Sequence, residues 1–459
     1  MQQTDDFEPA ELALPDNFQL SSESQRCVDL IKSGRNIFLT GNAGTGKSTL
    51  LAYLRQNVFE GNVGLCAPTG VSALLIGGIT IHSLFGFHHG TTLEEVQGPK
   101  YNPKNRYILQ ALNYLVIDEI SMVRADMMDW IDHSLRRYGP KKGKPFGGVQ
   151  LIVIGDLCQL PPIAKTEAEQ KYLHDNYKSY FFLDSKSFTE SAFEIVQLTK
   201  VYRQDDKEFI KSLDALRLGG MTKEDYLFFD KLVDPNFQIP DDEFFITLSP
   251  KKIVVSQINA EALDALPGET LVKWATITGD FNKNAYPTER KLEMKVGAQI
   301  MMVANDSGER WQDGEILEKR RWVNGSLGII ESISLAGRKP FVMVRLLEKG
   351  LIHKVYMNKF LSMVVQLEDG KLKYVEGPTF IQFPFMLAWA VTVHKAQGKT
   401  FDRVVIDLTE KAFDYGQLYV ALSRCTTAKG TILRQRITQG EIMVHDRVRE
   451  FYAELASGE

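Results

Sequence analysis

A short apolar run, Asn36–Thr40, leads directly into Gly41-Asn42-Ala43-Gly44-Thr45-Gly46-Lys47-Ser48-Thr49. No other stretch limits the fold as severely. The pattern GxxxxGK[ST] requires a buried strand, a glycine-bearing turn that exposes successive backbone N–H groups, and a helix opening immediately afterwards. Those amides and the helix N-terminus bind phosphate oxygens, Lys47 reaches the β and γ phosphates, and the Ser48 hydroxyl is suited to Mg²⁺. A chance match at a structural turn is the alternative, and the strand–loop–helix setting weighs against it. The expected ligands are ATP and Mg²⁺.

Other runs share the first one's character. Val63–Ala67, Tyr114–Ile117 and Gln150–Ile154 alternate with helix-like segments, the pattern of an α/β fold with a parallel sheet buried on both faces. In such sheets the strand ends line the ligand crevice. Asp118 and Glu119 follow Leu115-Val116-Ile117, so Asp118 is placed to hold Mg²⁺ and Glu119 to orient and deprotonate water. An Asp-Glu pair alone is commonly just solvated; the apolar strand before it and the phosphate loop upstream change that. Gly155-Asp156-Leu157-Cys158-Gln159 places Gln159 at the same crevice, although alone it would be a proline-stiffened loop.

The chain has 459 residues, long enough for about three domains. The segment about 85–107, with His88, His89, Gly90 and Pro103, shows little periodicity and is expected to be a small surface insertion. Strand-like runs dominate from Thr270 to Val375, with a hairpin signal at Asp369-Gly370. The expected division is 1–195 for a first domain, 196–269 with 376–459 for a second, and 270–375 for an all-β insertion. A closing helix is expected over Ile442 to Ala456. Fifty-four Lys and Arg against 58 Asp and Glu give a net charge of −4, so any polyanion site must be local. The dispersed Cys27, Cys66, Cys158 and Cys425 favour neither a zinc site nor a disulfide framework, and fit a reducing compartment. Met1 to Phe18 lacks a cleavable leader pattern, and the most apolar run, Phe385 to Val393, is too short to span a bilayer. The expectation is a soluble intracellular protein.

Together the ordered motifs resemble superfamily 1 helicases, specifically the petite integration frequency (Pif-type) DNA helicases that move 5′ to 3′. The resemblance starts at Gln25 and runs through Ala67-Pro68-Thr69-Gly70-Val71-Ser72-Ala73, Gly78-Ile79-Thr80-Ile81-His82-Ser83-Leu84-Phe85 and Val201-Tyr202-Arg203-Gln204. It continues through Ala388 to Gly398 and Gly416 to Arg424. The discriminating stretch is Met127 to Arg137 followed by Pro145-Phe146-Gly147-Gly148-Val149-Gln150, which RecD-like and phage relatives should lack. Two positions depart: Leu157 stands where an aromatic residue is frequent, and Ser249-Pro250-Lys251-Lys252 replaces the expected pattern before Asn259. The short stretch before Gln25 points to a bacterial source or a trimmed core.

The resemblance implies two RecA-like P-loop domains, with a small insertion in the first and an all-β barrel-like insertion in the second. It implies an ATP-dependent 5′-to-3′ DNA helicase that translocates on single strands, unwinds duplex or structured DNA, and acts in repair, recombination or telomere maintenance. Gln25, Gln397 and Gly398 then join Gly41, Gly44, Thr45, Gly46, Lys47, Ser48 and Thr49 at the nucleotide. Arg203 and Arg424 join Lys47, Asp118, Glu119 and Gln159 in catalysis; a surface ion pair is the ordinary role of an arginine. Pro68, Thr69, Gly70, His82, Ser83, Thr392, His394 and Lys395 become DNA contacts rather than ordinary surface polar residues. Asn324 and Gly325 do too, with a plain hairpin turn as the alternative. The basic run Arg136, Arg137, Lys141, Lys142 and Lys144 is either a duplex track or a solvated face. Expected partners are single-stranded DNA with duplex, forked or four-stranded guanine DNA. The protein is expected to work as a monomer, in the cytoplasm at the nucleoid if bacterial. A P-loop kinase for a small acceptor fits the first lobe alone and leaves Arg203, His394 and Arg424 idle.

Overall fold

The computed structural model describes all residues except 1–13, 15–17, 89, 165, 205, 241–242, 307–309, 313–314, 319–320, 338, 348–349, 410–413 and 458–459. Most of Met1 to Phe18, and His89 of the expected insertion, therefore lie outside the described residues. The chain forms two compact units: Met1–Tyr202 with Ser362–Gly377 and His445–Glu459, and Arg203–Leu361 with Pro378–Val444. Among the described residues no helix is long and apolar enough to cross a membrane.

In the first unit β1 (Asn36–Gly41), β2 (Val63–Ala67), β3 (Ile79–Thr80), β4 (Tyr114–Ile117), β5 (Gln150–Ile154) and β6 (Phe193–Leu198) make one sheet in the order β3-β2-β4-β5-β1-β6. Every pairing is parallel. The central strands are Val-, Ile- and Leu-rich because both faces are covered, as the apolar runs imply. Ile37, Leu39, Val116, Ile152 and Ile154 pack against Leu50, Leu51 and Leu54 of α2 (Lys47–Asn57). Each such side chain contributes about 1.5–3 kcal/mol by leaving water. Ahead of β1, α1 (Ser22–Lys32) is capped by the Ser21 hydroxyl, which accepts from the Ser24 amide at 3.2 Å.

The boundaries differ from the expected ones. The first sheet takes in β6 through Leu198, since Phe193–Leu198 pairs with β1 over six positions. That edge strand is only partly buried, so its apolar signal fades before it ends. The closing helix, observed as Asp446–Ser457, belongs to the first unit rather than the second domain. Its Phe451 ring lies 5.7 Å from Phe38, and Arg447 donates to Asp184 at 2.9 Å. An amphipathic face specifies that a helix is buried, not which sheet buries it. The segment about 85–107 is not merely superficial either: the Tyr101 hydroxyl donates to the Phe85 carbonyl at 2.7 Å, and Phe87 meets Trp130 edge-on.

In the second unit Ala390–Thr392, Ile246–Ser249, Val404–Ile406 and Thr431–Leu433 form a four-stranded parallel sheet in that order. Between its strands lie antiparallel ones, the largest sheet joining Ile352–Tyr356, Phe341–Leu346, Leu327–Ser334, Gln299–Met302 and Phe385–Leu387. The β-rich part thus runs past Val375, the expected end. The hairpin signal is a longer hairpin, Asn358–Glu368 and Lys371–Gln382, turning at Asp369 and Gly370 with φ of 49° and 75°. Its tip counts with the first unit, where the Asn62 amide donates to the Gly370 carbonyl at 2.8 Å and accepts from the Leu372 N–H at 2.7 Å.

The discriminating motif folds into a helix and the turn that stops it. α3 (Ala125–Tyr138) buries Asp132, which accepts from the Phe146 amide at 2.6 Å and from Arg136 Nε at 2.5 Å. Gly147 follows with φ of 61°, and a Cβ there would meet the Leu135 carbonyl oxygen at 2.3 Å. Only glycine fits such an approach. Gly147→Ala is therefore expected to destabilise the first unit by on the order of 1–3 kcal/mol, seen as a lower urea midpoint for its unfolding; an unchanged midpoint would show that the turn can move away.

Candidate functional site

Strand order places the chemistry. The phosphate loop follows β1, Asp118 and Glu119 follow β4, and Gln159 follows β5, three strands adjacent in the sheet. Pro68, Thr69 and Gly70 follow β2, and His82 and Ser83 follow β3, the next two strands outward. One edge of the sheet thus carries two groups of candidate residues side by side.

Gly41, Gly44 and Gly46 have φ of 147°, 80° and 86°, and α2 begins straight after Gly46. Lys47 Nζ donates to the Gly41 and Asn42 carbonyls at 2.7 and 2.9 Å, so the ammonium spans the loop it is expected to serve. Thr45 Oγ1 donates to the Asn42 carbonyl at 2.9 Å; Ser48 is exposed and Thr49 half-buried at the start of α2. Burial raises the Asp118 carboxyl above its ordinary range, opposed by the Glu119 amide and by the charge of Lys47. Asp118 and Lys47 therefore feel one another. A hydroxyl and a carboxylate beside a phosphate cradle suit Mg²⁺, which keeps several waters and takes few protein ligands.

Glu119 adopts φ of 52° and ψ of 44°, a left-handed conformation that costs a residue with a side chain on the order of 1–3 kcal/mol. Gln159 is buried, its Nε2 donating to Asp156 Oδ2 at 3.3 Å. Gln25 donates to Asp29 on its own helix at 2.9 Å.

Thr69 and Thr80 each cap a short helix, accepting from the amides of Ser72 and Ser83 at 3.1 Å. His82 is half-buried and Ser83 exposed. Thr392, in the second unit, repeats the device with the Lys395 amide at 3.2 Å. Burial lowers the affinity of His394 for its proton, against the pull of Asp414. Lys395 lies 3.6 Å from Glu289. Gln397 and Gly398 end that turn, Gly398 at φ of 76°. In the β-rich part Asn324 accepts from Lys399 Nζ, and the Gly325 amide donates to the Met302 carbonyl at 2.8 Å.

Arg203 and Arg424 meet in the second unit around one residue. Arg203 Nη1 donates to the Ser423 carbonyl at 3.0 Å and Arg424 Nη2 to the Ser423 hydroxyl at 2.8 Å. Burial, then the Arg424 charge, pushes Arg203 down to about 9. Among the described residues no carboxylate pairs with Arg203, and Arg424 is 1% exposed, so neither is the surface ion pair that the ordinary reading requires. The basic run divides: Arg136 bonds Asp132, Arg137 donates to the Gly98 carbonyl at 2.7 Å, and Lys141, Lys142 and Lys144 are exposed. Sequence reasoning missed Asn259, whose side chain donates to the Ala390 carbonyl at 2.8 Å and accepts from its amide at 2.9 Å, pinning the strand before Thr392. A lone asparagine beyond an unfamiliar loop gave no signal of that clamp.

The fold and this loop define a P-loop nucleotide-binding protein built on RecA-like sheets. Residues 19–226 match the family model described as PIF1-like helicase, and residues 387–428 that of the UvrD-like helicase C-terminal domain. The Xenopus laevis ATP-dependent DNA helicase PIF1 is 33% identical over 91% of this chain, which spans 62% of that relative's length. The Bdellovibrio bacteriovorus ATP-dependent DNA helicase Pif1 is 30% identical over 95% of this chain and 92% of its own. Bacteroides Pif1 in complex with ADP-AlF4 superposes with a TM-score of 0.84 at 34% identity, covering 96% of this chain and 98% of that one; bound to single-stranded DNA the score is 0.68. The chain belongs to the PIF1-like helicase family.

Lys47→Ala is expected to weaken ATP binding at least about tenfold, since a charge-assisted contact to phosphate contributes about 1.5–3 kcal/mol. Titration with a fluorescent ATP analogue measures it, and unchanged affinity would remove Lys47 from the phosphate site.

Proposed function

We propose that this protein is an ATP-dependent DNA helicase that moves 5′ to 3′ on single-stranded DNA and opens duplex or forked substrates. The single observation that carries the reading is the strand order of the first unit, which sets a phosphate loop, an Asp-Glu pair and Gln159 beside two capped turns matching the family's DNA-contacting motifs. The Xenopus and Bdellovibrio relatives, named as ATP-dependent DNA helicases, and the Bacteroides relative bound to single-stranded DNA support its helicase part.

In this reading the loop amides and Lys47 bind the β and γ phosphates of ATP. Ser48 and Asp118 would hold Mg²⁺, which neutralises charge on the phosphates when bound. Glu119 takes a proton from the attacking water, and Gln159 orients that water. Arg203 and Arg424 supply positive charge to the transferring phosphoryl group from the second unit. The Tyr202 amide donates to the Gly44 carbonyl at 2.9 Å, so the chain is fastened to the phosphate loop one residue before Arg203. A nucleotide that needs groups from both units for hydrolysis links its chemical state to their separation, and that link is what makes an ATPase a motor.

The strand runs over Thr69, His82 and Ser83 in the first unit and Thr392, His394, Lys395, Asn324 and Gly325 in the second, contacting mainly backbone, with little base preference. We extend the proposal to four-stranded guanine substrates, to action as a monomer and, in a bacterial cell, to a place at the nucleoid. Unwinding of 5′-tailed against 3′-tailed duplexes tests the central claim: activity on the 5′ tail alone is expected, and preference for the 3′ tail would overturn the polarity.

An arginine acting on a transferring phosphoryl group contributes on the order of a thousandfold in rate, an exposed ion pair under about 1 kcal/mol of stability. Arg203→Ala and Arg424→Ala are therefore each expected to lower DNA-stimulated turnover at least about 100-fold, with nucleotide-free strand affinity nearly unchanged. Turnover within a fewfold of the unmodified protein in both would return them to a structural role.

A further inference from the structure

The closing helix, α4 (Asp446–Ser457), carries none of the motifs that mark the nucleotide site, yet it reaches that site's foundations. Tyr452 is 6% exposed, and its hydroxyl lies 3.0 Å from Thr40 Oγ1 and 3.2 Å from Asp156 Oδ1. Thr40, fully buried, is the residue of β1 just before the phosphate loop, and Asp156, 1% exposed, stands just after β5. The Asp156 carboxylate also accepts from the Cys158 amide at 3.1 Å and from Gln159 Nε2 at 3.3 Å.

The directions of these bonds are fixed by chemistry. An ionised carboxylate only accepts, so the single Tyr452 proton goes to Asp156 and the Thr40 hydroxyl donates to Tyr452. For the same reason the NH₂ end of Gln159 faces Asp156, which leaves its carbonyl oxygen as the end that can accept from a water. A glutamine turned end for end would present donors instead, the wrong group for holding a nucleophile by its proton.

We propose that Tyr452 is a positioning residue for ATP hydrolysis: through Asp156 it fixes the orientation of the Gln159 amide, while the Thr40 hydroxyl, donating to the phenol oxygen, holds the phenol turned toward Asp156. The inference rests on the ATPase reading given above and adds to it an element distant in sequence from every motif. Tyr452 touches no reacting atom and acts only through Asp156. Phenylalanine at this position keeps the ring that packs edge-on against Phe451 and removes only the hydroxyl.

The test is Tyr452→Phe in the full chain, alone and combined with Gln159→Ala. For Tyr452→Phe the turnover number for DNA-stimulated ATP hydrolysis should fall about tenfold, with KM for ATP within about twofold and single-strand affinity unchanged, as expected when an interaction matters only in the transition state. Affinity for ADP with aluminium fluoride should weaken by a similar factor while affinity for ADP alone holds. In the Gln159→Ala background, read by single-turnover hydrolysis of radiolabelled ATP, Tyr452→Phe should cost nothing further, because coupled residues are not additive. An unmodified turnover number in Tyr452→Phe overturns the proposal, as does a loss that multiplies with that of Gln159→Ala. A lower unfolding midpoint with KM and turnover both impaired also overturns it, by making Tyr452 a packing residue. An unmodified protein that does not hydrolyse ATP overturns the ATPase reading itself, and the inference with it; normal hydrolysis in both proteins overturns the inference alone.

Discussion

Parallel strands all end on the same edge of their sheet, and the first unit depends on that constraint. Because β1, β4 and β5 are neighbours, three short loops far apart in sequence open side by side on one edge of the sheet. The loops can be short because the strands are rigid: Leu115, Val116, Ile117, Leu151, Ile152 and Val153 are all fully buried. The helix that opens at Lys47 packs its own leucines on this sheet.

Strain and charge are concentrated on the same edge. Glu119 adopts a left-handed backbone one residue past a buried strand, and the Asp118 carboxyl is raised by burial. In the second unit Arg203 is depressed by burial and by the neighbouring Arg424. The two guanidinium groups are held against one serine, Arg203 on the Ser423 carbonyl and Arg424 on its hydroxyl.

The strand-end positions of the phosphate loop, the Asp-Glu pair and Gln159 were legible because each follows a continuous apolar run of the kind a doubly covered parallel strand requires. The capped turns at Thr69, Thr80 and Thr392 were legible as motifs only through resemblance; their side chains turn out also to satisfy helix N-termini, a local duty that hides any other. Illegible parts share a cause. β6 is a half-exposed edge, the tip of the hairpin at Gly370 is tied to Asn62, and α4 packs under a sheet whose strands end some 250 residues earlier. Periodicity reports that a face is buried and says nothing about the partner that buries it. The segment about 85–107 failed in the same way, its few aromatic residues being enough to anchor it on α3 without any repeat.

The interleaving of the chain governs how the molecule is made. Residues up to Tyr202 emerge from the ribosome first, the phosphate loop, Asp118, Glu119 and Gln159 among them, but Thr40 and Asp156 gain their phenolic partner only when α4 has been synthesised. All of the second unit is translated in between, so the first unit must wait, incomplete, for the last turn of helix. A premature stop or a protease cut just before Asp446 would leave every recognisable motif intact and the sheet beneath them without its covering helix. A chain cut before Asp446 loses the hydroxyl that Thr40 and Asp156 share, whatever else of it is kept.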